Sequence, residues 1–229
     1  MKPLSFMIVF MIFLSACTSD RVVKTEKEQL FGIFKNITQK SLSSNAVVSQ
    51  SSDFPMTKKW LEKFNQPIIL TSSVDQKNQA TLVSLGNNEE RLTWVSSDGI
   101  SLSYDTGVLI ATRGYSQDLL SLNYEKPNKV FTSKYLKYDK THRYINGENR
   151  YDELQFKCTG KKMAPHTIQI VEFILSVDRY VETCVSKRHK YKNKYDLLSG
   201  TTVVVKSKQW ISPSNGYFLT YNLYAFQRL

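Results

Sequence analysis

Thr93–Leu119, TWVSSDGISLSYDTGVLIATRGYSQDL, is the stretch whose reading decides the fold. Asp98-Gly99 and Asp105-Thr106-Gly107 divide it into three short runs rich in β-branched and aromatic residues, the pattern of consecutive strands. Glycine accepts the positive φ that tight turns require, so both punctuation points read as hairpin turns. Trp94, Ile100, Leu102, Val108 and Ile110 are then core or sheet-face residues, and Asp98 is a turn former before it is an acid. Arg113-Gly114 stays open between an exposed strand end and a contact for an anionic partner.

The same texture extends in both directions. PIILTSSV, ATLVSL, RLTWVS, ISLSY and VLIAT follow one another, separated by short polar links around QKNQ, GNNE, SDG and DTG. That spacing leaves no room for crossover helices, so the pairing is antiparallel. A second strand group starts near Tyr151 and ends in GYFLTYNLYAF. Within it, Ile168, Ile170, Glu172, Ile174 and Ser176 alternate against Gln169, Val171, Phe173 and Leu175. Both faces of that run carry apolar residues, which predicts a sheet that curls or is covered on both sides. Between the groups, residues 123–150 are polar, basic and tyrosine-rich without a period. They read as a long connection with one strand around Lys134–Tyr138. Upstream, Leu30, Phe31, Phe34 and Ile37 share one face of a helix predicted over Thr25–Gln39. PMTKKWLEKF reads as a second, shorter helix opened by Pro55.

The start of the chain carries an address. Lys2 precedes an uncharged run from Pro3 to Ala16, too short for a bilayer-spanning helix and typical of a secretory signal. Leu14-Ser15-Ala16-Cys17 has the pattern of a bacterial lipobox, which predicts cleavage before Cys17 and acylation, palmitate included, of the new terminus. Several acyl chains anchor far more firmly than one. Thr18 is not the aspartate that commonly retains enteric lipoproteins in the inner membrane, so the expectation is the outer membrane, periplasmic side. Residues 1–16 are thus a signal peptide, 17–24 a lipidated terminus and tether, and 25–229 a single β-rich periplasmic domain.

The formal charge of +11 loses only Lys2 on cleavage. So basic a chain favours anionic partners such as acidic polysaccharide or lipid headgroups, while export and anchoring argue against nucleic acid. Cys158 and Cys184 lie in strand-like stretches in a compartment that permits disulfides. A bridge between them closes a loop of about 26 residues and adds roughly 3 kcal/mol on chain-entropy grounds; two buried thiols are the alternative. No further cysteine or histidine stands at metal-ligand spacing, and no cofactor is implied.

The chain has no G-x-S-x-G elbow, no H-E-x-x-H and no glycine-rich phosphate loop. His142, His166 and His189 sit in polar or basic surroundings and read as surface residues. Glu172, Asp178 and Glu182, with Asp152-Glu153 nearby, could serve glycoside cleavage only across a groove; strand-face charges and turn residues are the simpler reading. The best binding candidate is KRHKYKNKYD: Lys187, Arg188, Lys190 and Lys192 supply charge, and Tyr191 and Tyr195 offer flat faces to sugar rings. A solvated hairpin tip with protective lysines is the bland alternative.

The lipobox, the following helix, ATLVSL, the W-x-S-S-D-G of Trp94–Gly99, the Gly107 turn, VLIATRGYSQDL and the terminal WISPSNGYFLTYN together resemble the YjbF/GfcB family of bacterial lipoproteins. Members are encoded with group 4 capsule and related exopolysaccharide genes. The resemblance implies a mainly β fold, a large curved antiparallel meander sheet, half-closed like a barrel, with one or two N-terminal helices packed on it. It implies participation in capsule or exopolysaccharide secretion, with export proteins or the glycan as partners, and supplies no catalytic residues. A lipid-handling lipoprotein carrying acyl chains in a half-open barrel is the second reading, and a polysaccharide-modifying enzyme the third. An aromatic-filled interior favours the first, an empty apolar cavity the second.

Overall fold

The computed structural model describes residues 57–226 apart from 63, 65, 76–78, 89–90, 125–126, 147 and 149. The signal segment, Cys17, the tether and the helix expected over Thr25–Gln39 lie outside these residues. Among the described residues of PMTKKWLEKF, Lys58–Leu61 (α1) is helical. The rest is strand: β1 (Ile68–Ser73), β2 (Gln79–Asn88), β3 (Arg91–Val95), β4 (Ser101–Asp105), β5 (Val108–Arg113) and β6 (Gln117–Tyr124), then a short helix α2 (Pro127–Thr132). After it come β7 (Tyr135–Asn146), β8 (Tyr151–Lys162), β9 (His166–Ile170), β10 (Phe173–Val185), β11 (Lys190–Leu198), β12 (Val204–Ser212) and β13 (Gly216–Tyr221).

All thirteen strands belong to one antiparallel sheet, in the order β5-β4-β3-β2-β1-β13-β12-β11-β10-β8-β7-β6 with β9 beside β10. The first and last strands pair, Leu70 opposite Tyr221, and a meander spreads from each side of that pair. The two free ends of the path, β5 and β6, are consecutive in the chain, so the sheet curls until they meet. Side chains rather than a backbone ladder tie the seam. Thr112 Oγ1 donates to Asp118 Oδ1 at 2.8 Å and accepts from Leu119 N at 2.9 Å. Asp118 also accepts from the amides of Gly114 and Tyr115, and Arg113 Nη1 donates to Leu119 O. Arg113-Gly114 is therefore part of the closure of a nearly closed barrel.

The opening stretch folds as its turns predict. Thr106 and Gly107 both take positive φ, 48° and 85°, in a two-residue turn whose twist matches the flanking strands. Trp94 pairs with Leu102 across β3 and β4, and both are buried with Val108.

Two segments depart from the sequence reading. The alternation through 166–176 is not one strand: Val171, at φ 57°, and Glu172 form the turn between β9 and β10, with Phe173 opposite Ile170. Neither glycine, asparagine nor aspartate marks this turn, which is why the alternation ran through it. The supposed long connection of 123–150 contains a twelve-residue strand, β7, paired throughout with β8. Its inward residues Tyr138, Lys140, His142 and Tyr144 are buried but mostly polar, so no hydrophobic alternation shows.

The interior is filled. Tyr144, Phe156, Tyr180 and Tyr195 are fully buried with Ile68, Leu82, Leu102 and Leu119. Phe131 of α2 packs edge-on against Tyr180 and Tyr195, with ring centroids 5.6 and 5.1 Å away. Tyr191 stacks on Trp210 at 4.7 Å. Gly160 leaves the space the Tyr180 side chain occupies; a Cβ there would overlap its hydroxyl.

Candidate functional site

The tract singled out for binding is split by the strand period. In β11, KYKNKYDLL, residues alternate between faces. Lys190, Lys192 and Lys194 are exposed, whereas Tyr191, Asn193 and Tyr195 are buried at 2%, 3% and 1%. Tyr191 and Tyr195 therefore offer no face to a sugar ring, which corrects their place in the binding candidate. Lys187 and Arg188 are exposed in the turn closed by Ser186 N donating to His189 O at 2.8 Å.

The inward residues build a buried polar network. Glu182, 2% exposed, accepts from Lys140 Nζ at 2.6 Å, from Asn193 Nδ2 at 2.7 Å and from the Tyr138 hydroxyl. Tyr195 OH bonds Gln209 Oε1. Gln209 in turn accepts from Leu109 N and donates to Gly107 O, which links β12 across the barrel to the β4–β5 turn. Asn193 Oδ1 accepts from Trp210 N at 2.7 Å. A buried charge is tolerated only when paired and hydrogen-bonded, and Lys140–Glu182 meets that condition. Burial, with the Glu182 charge contributing, pushes the Tyr138, Tyr191 and Tyr195 phenols far above their usual range. They remain protonated donors at neutral pH.

His142 is 2% exposed rather than a surface residue. Its ring nitrogens lie 2.9 Å from the Tyr144 and Tyr191 hydroxyls. Burial, then the nearby Lys140 charge, hold its pKa well below the ordinary 6.5. The unfolded chain therefore takes up a proton below about pH 6.5 that the folded chain refuses. Stability is full above that pH and falls as the medium is acidified toward the folded-state value, by up to about 1.4 kcal/mol per pH unit. Urea midpoints between pH 7.5 and 5 should drop accordingly, and in His142→Gln the slope should flatten. An equal slope in the variant would locate the titration elsewhere.

Glu172, Asp178, Glu153 and Glu182 each meet a different partner. Glu172 lies in the β9–β10 turn and accepts from Lys58 N; Asp178 pairs with Lys162 at 2.9 Å; Glu153 pairs with Arg143 on the surface. Glu182, read as a strand-face charge, faces inward. Cys158 and Cys184 stand opposite each other in the β8–β10 register and are joined by a disulfide. Glu182 lies within 4.8 Å of both sulfurs, which are not free thiolates for a metal.

The outward face of the same strands carries a groove of about 620 Å³. Thr159, Val181 and Thr183 form its floor; Lys161, Lys192, Lys194 and Arg179 line it with Tyr135 and Met163. Arg179 is engaged bidentately by Asp196, at 2.7 and 3.0 Å. Of these residues, the tract KRHKYKNKYD singled out from sequence contains Lys192, named there, and Lys194. Apart from Met163 in the β8–β9 link, the others come from β7, β8 and β10 and converge only through strand register; the signal available was the period-2 lysine pattern of β11 itself.

The profile of the family described as group 4 capsule polysaccharide lipoprotein GfcB, YjbF matches residues 42–223. No curated protein matches the chain. Among solved structures, the fold is similar to that of the hypothetical lipoprotein YmcC from Escherichia coli K12, with a TM-score of 0.63 and 16% identity over 81% of this chain and 92% of that one. The turn-punctuated strands, the nearly closed barrel and a profile match over most of the chain agree: this protein belongs to the YjbF family of capsule-associated lipoproteins.

Proposed function

We propose that the protein is an outer-membrane lipoprotein, anchored through Cys17 on the periplasmic side, that assists capsule or exopolysaccharide export or assembly by binding the glycan or a secretion partner, without catalysing a reaction. The observation that carries this reading is the packed, cross-linked interior, which leaves recognition to the outer surface. The pocket between Trp94, Tyr104 and Val205 holds only about 50 Å³, room for a water or two, against the several hundred Å³ a ligand-sized site occupies. That argues against acyl-chain carriage. The Glu182 network is closed to substrate, which favours binding over catalysis.

Loss of the gene should reduce surface polysaccharide, and the wild-type chain should restore it. Cys17→Ala should leave the protein out of the outer-membrane fraction and fail to restore export. Unchanged surface polysaccharide without the gene would refute the reading. Stoichiometric acyl lipid extracted from purified Cys17→Ala protein would favour lipid carriage instead.

A further inference from the structure

We propose that the outer groove across β8, β10 and β11 binds a segment of acidic polysaccharide, a sugar chain bearing carboxylates or phosphates. This deepens the function proposed above and rests on it for the identity of the polymer.

Register alone aligns the cations. Tyr135, Lys161, Val181, Lys194 and Lys208 are successive cross-strand neighbours on β7, β8, β10, β11 and β12. At about 4.8 Å per strand, this row runs roughly 19 Å across the sheet. Lys161 and Lys194 flank Val181, so their backbones stand roughly 10 Å apart with a short side chain between them. In the next row Thr159 and Lys192 flank Thr183. Long cationic side chains at the rim and short ones on the floor make the face concave.

Charge favours an anion. Among the described residues no carboxylate pairs with Lys161, Lys192 or Lys194, whereas Arg179 has Asp196. Lys208 lies over the Tyr217 ring at 4.9 Å. Uncompensated like charges gathered in a concavity concentrate a counter-anion.

The other groups favour sugar over lipid or peptide. Tyr135 is 54% exposed at one end of the row and presents an aromatic face to the C–H side of a pyranose ring. The Thr159 and Thr183 hydroxyls both donate and accept, as sugar hydroxyls require. A volume of about 620 Å³ lies in the range of a small-ligand site, and a polymer can leave it along the row. A membrane surface would instead call for a protruding apolar edge, and Tyr135 and Met163 are the only exposed large apolar side chains of the groove.

The test uses the full lipidated chain in neutral detergent micelles and calorimetric titration with size-defined oligogalacturonate. Neutral dextran oligomers, phosphatidylglycerol vesicles and polyglutamate serve as competing probes. Lys161→Ser/Lys192→Ser/Lys194→Ser is compared with Lys59→Ser/Arg91→Ser/Arg150→Ser, which removes as many exposed cations elsewhere. The groove variant should lose at least about tenfold in affinity and the control less than about twofold; dextran should not bind. The site is refuted if the groove variant binds as the wild type does, or if the control loses as much. It is equally refuted if the same lysines bind vesicles or polyglutamate more tightly than the oligosaccharide. Complementation separates the two proposals. If export requires the gene but the groove variant restores it fully, the groove falls and the export role stands. If the groove binds oligogalacturonate but export ignores the gene, the reverse holds.

Discussion

Glu182→Ala should lower the unfolding free energy by about 3–5 kcal/mol, because it strands a buried ammonium without its counter-charge. Lys140 and Glu182 are both 2% exposed and 2.6 Å apart, and the same carboxylate accepts from Asn193 and Tyr138. Removal therefore leaves a charge and two neutral donors wanting partners in a low-dielectric interior, where each unmet donor is itself costly. Denaturant titration of the single variant should show a midpoint shifted far down with an unchanged m-value. Lys140→Met combined with Glu182→Gln should recover much of the loss, since it removes both charges while keeping an acceptor for Tyr138. If the double variant is as unstable as the sum of its parts, the pair is not the coupled unit described here.

Replacing both Cys158 and Cys184 by alanine should cost about 3 kcal/mol, or roughly 6 to 12 °C in Tm for a chain of this size. The bond spans 26 residues of sequence and joins adjacent strands β8 and β10. Its main effect is to limit the freedom of the unfolded chain. Both sulfurs are buried, at 2% and 0% residue exposure, so the native protein should resist reductant until it opens. Wild-type protein unfolded in dithiothreitol should then match the double alanine variant. A variant with wild-type stability would show that the ladder alone holds these strands.

The particular places where sequence reading succeeded and failed have a common cause. β3 to β5 were legible because their turns carry glycine and their inward residues are apolar, as at Trp94, Leu102 and Val108. β7 was read mostly as connection because its inward residues are Tyr138, Lys140, His142 and Tyr144, whose polar atoms find most of their partners on other strands. The β9–β10 turn was hidden because Val171 adopts a conformation that local chemistry disfavours. His142 was placed on the surface because a polar residue among polar neighbours looks solvated until Tyr144 and Tyr191 are brought to it.

Much of the strand identity, the antiparallel pairing and the family could be read from residues near one another in the chain, since turns and alternation are local. Tertiary structure alone decided which way each side chain of KRHKYKNKYD faces, turning Tyr191 and Tyr195 inward and Lys190, Lys192 and Lys194 outward. It also assembled Lys161, Lys192 and Lys194 into one groove and Lys140 with Glu182 into one pair. Those juxtapositions depend on register between strands up to 42 residues apart. A slip of one residue would move every one of these side chains to the opposite face.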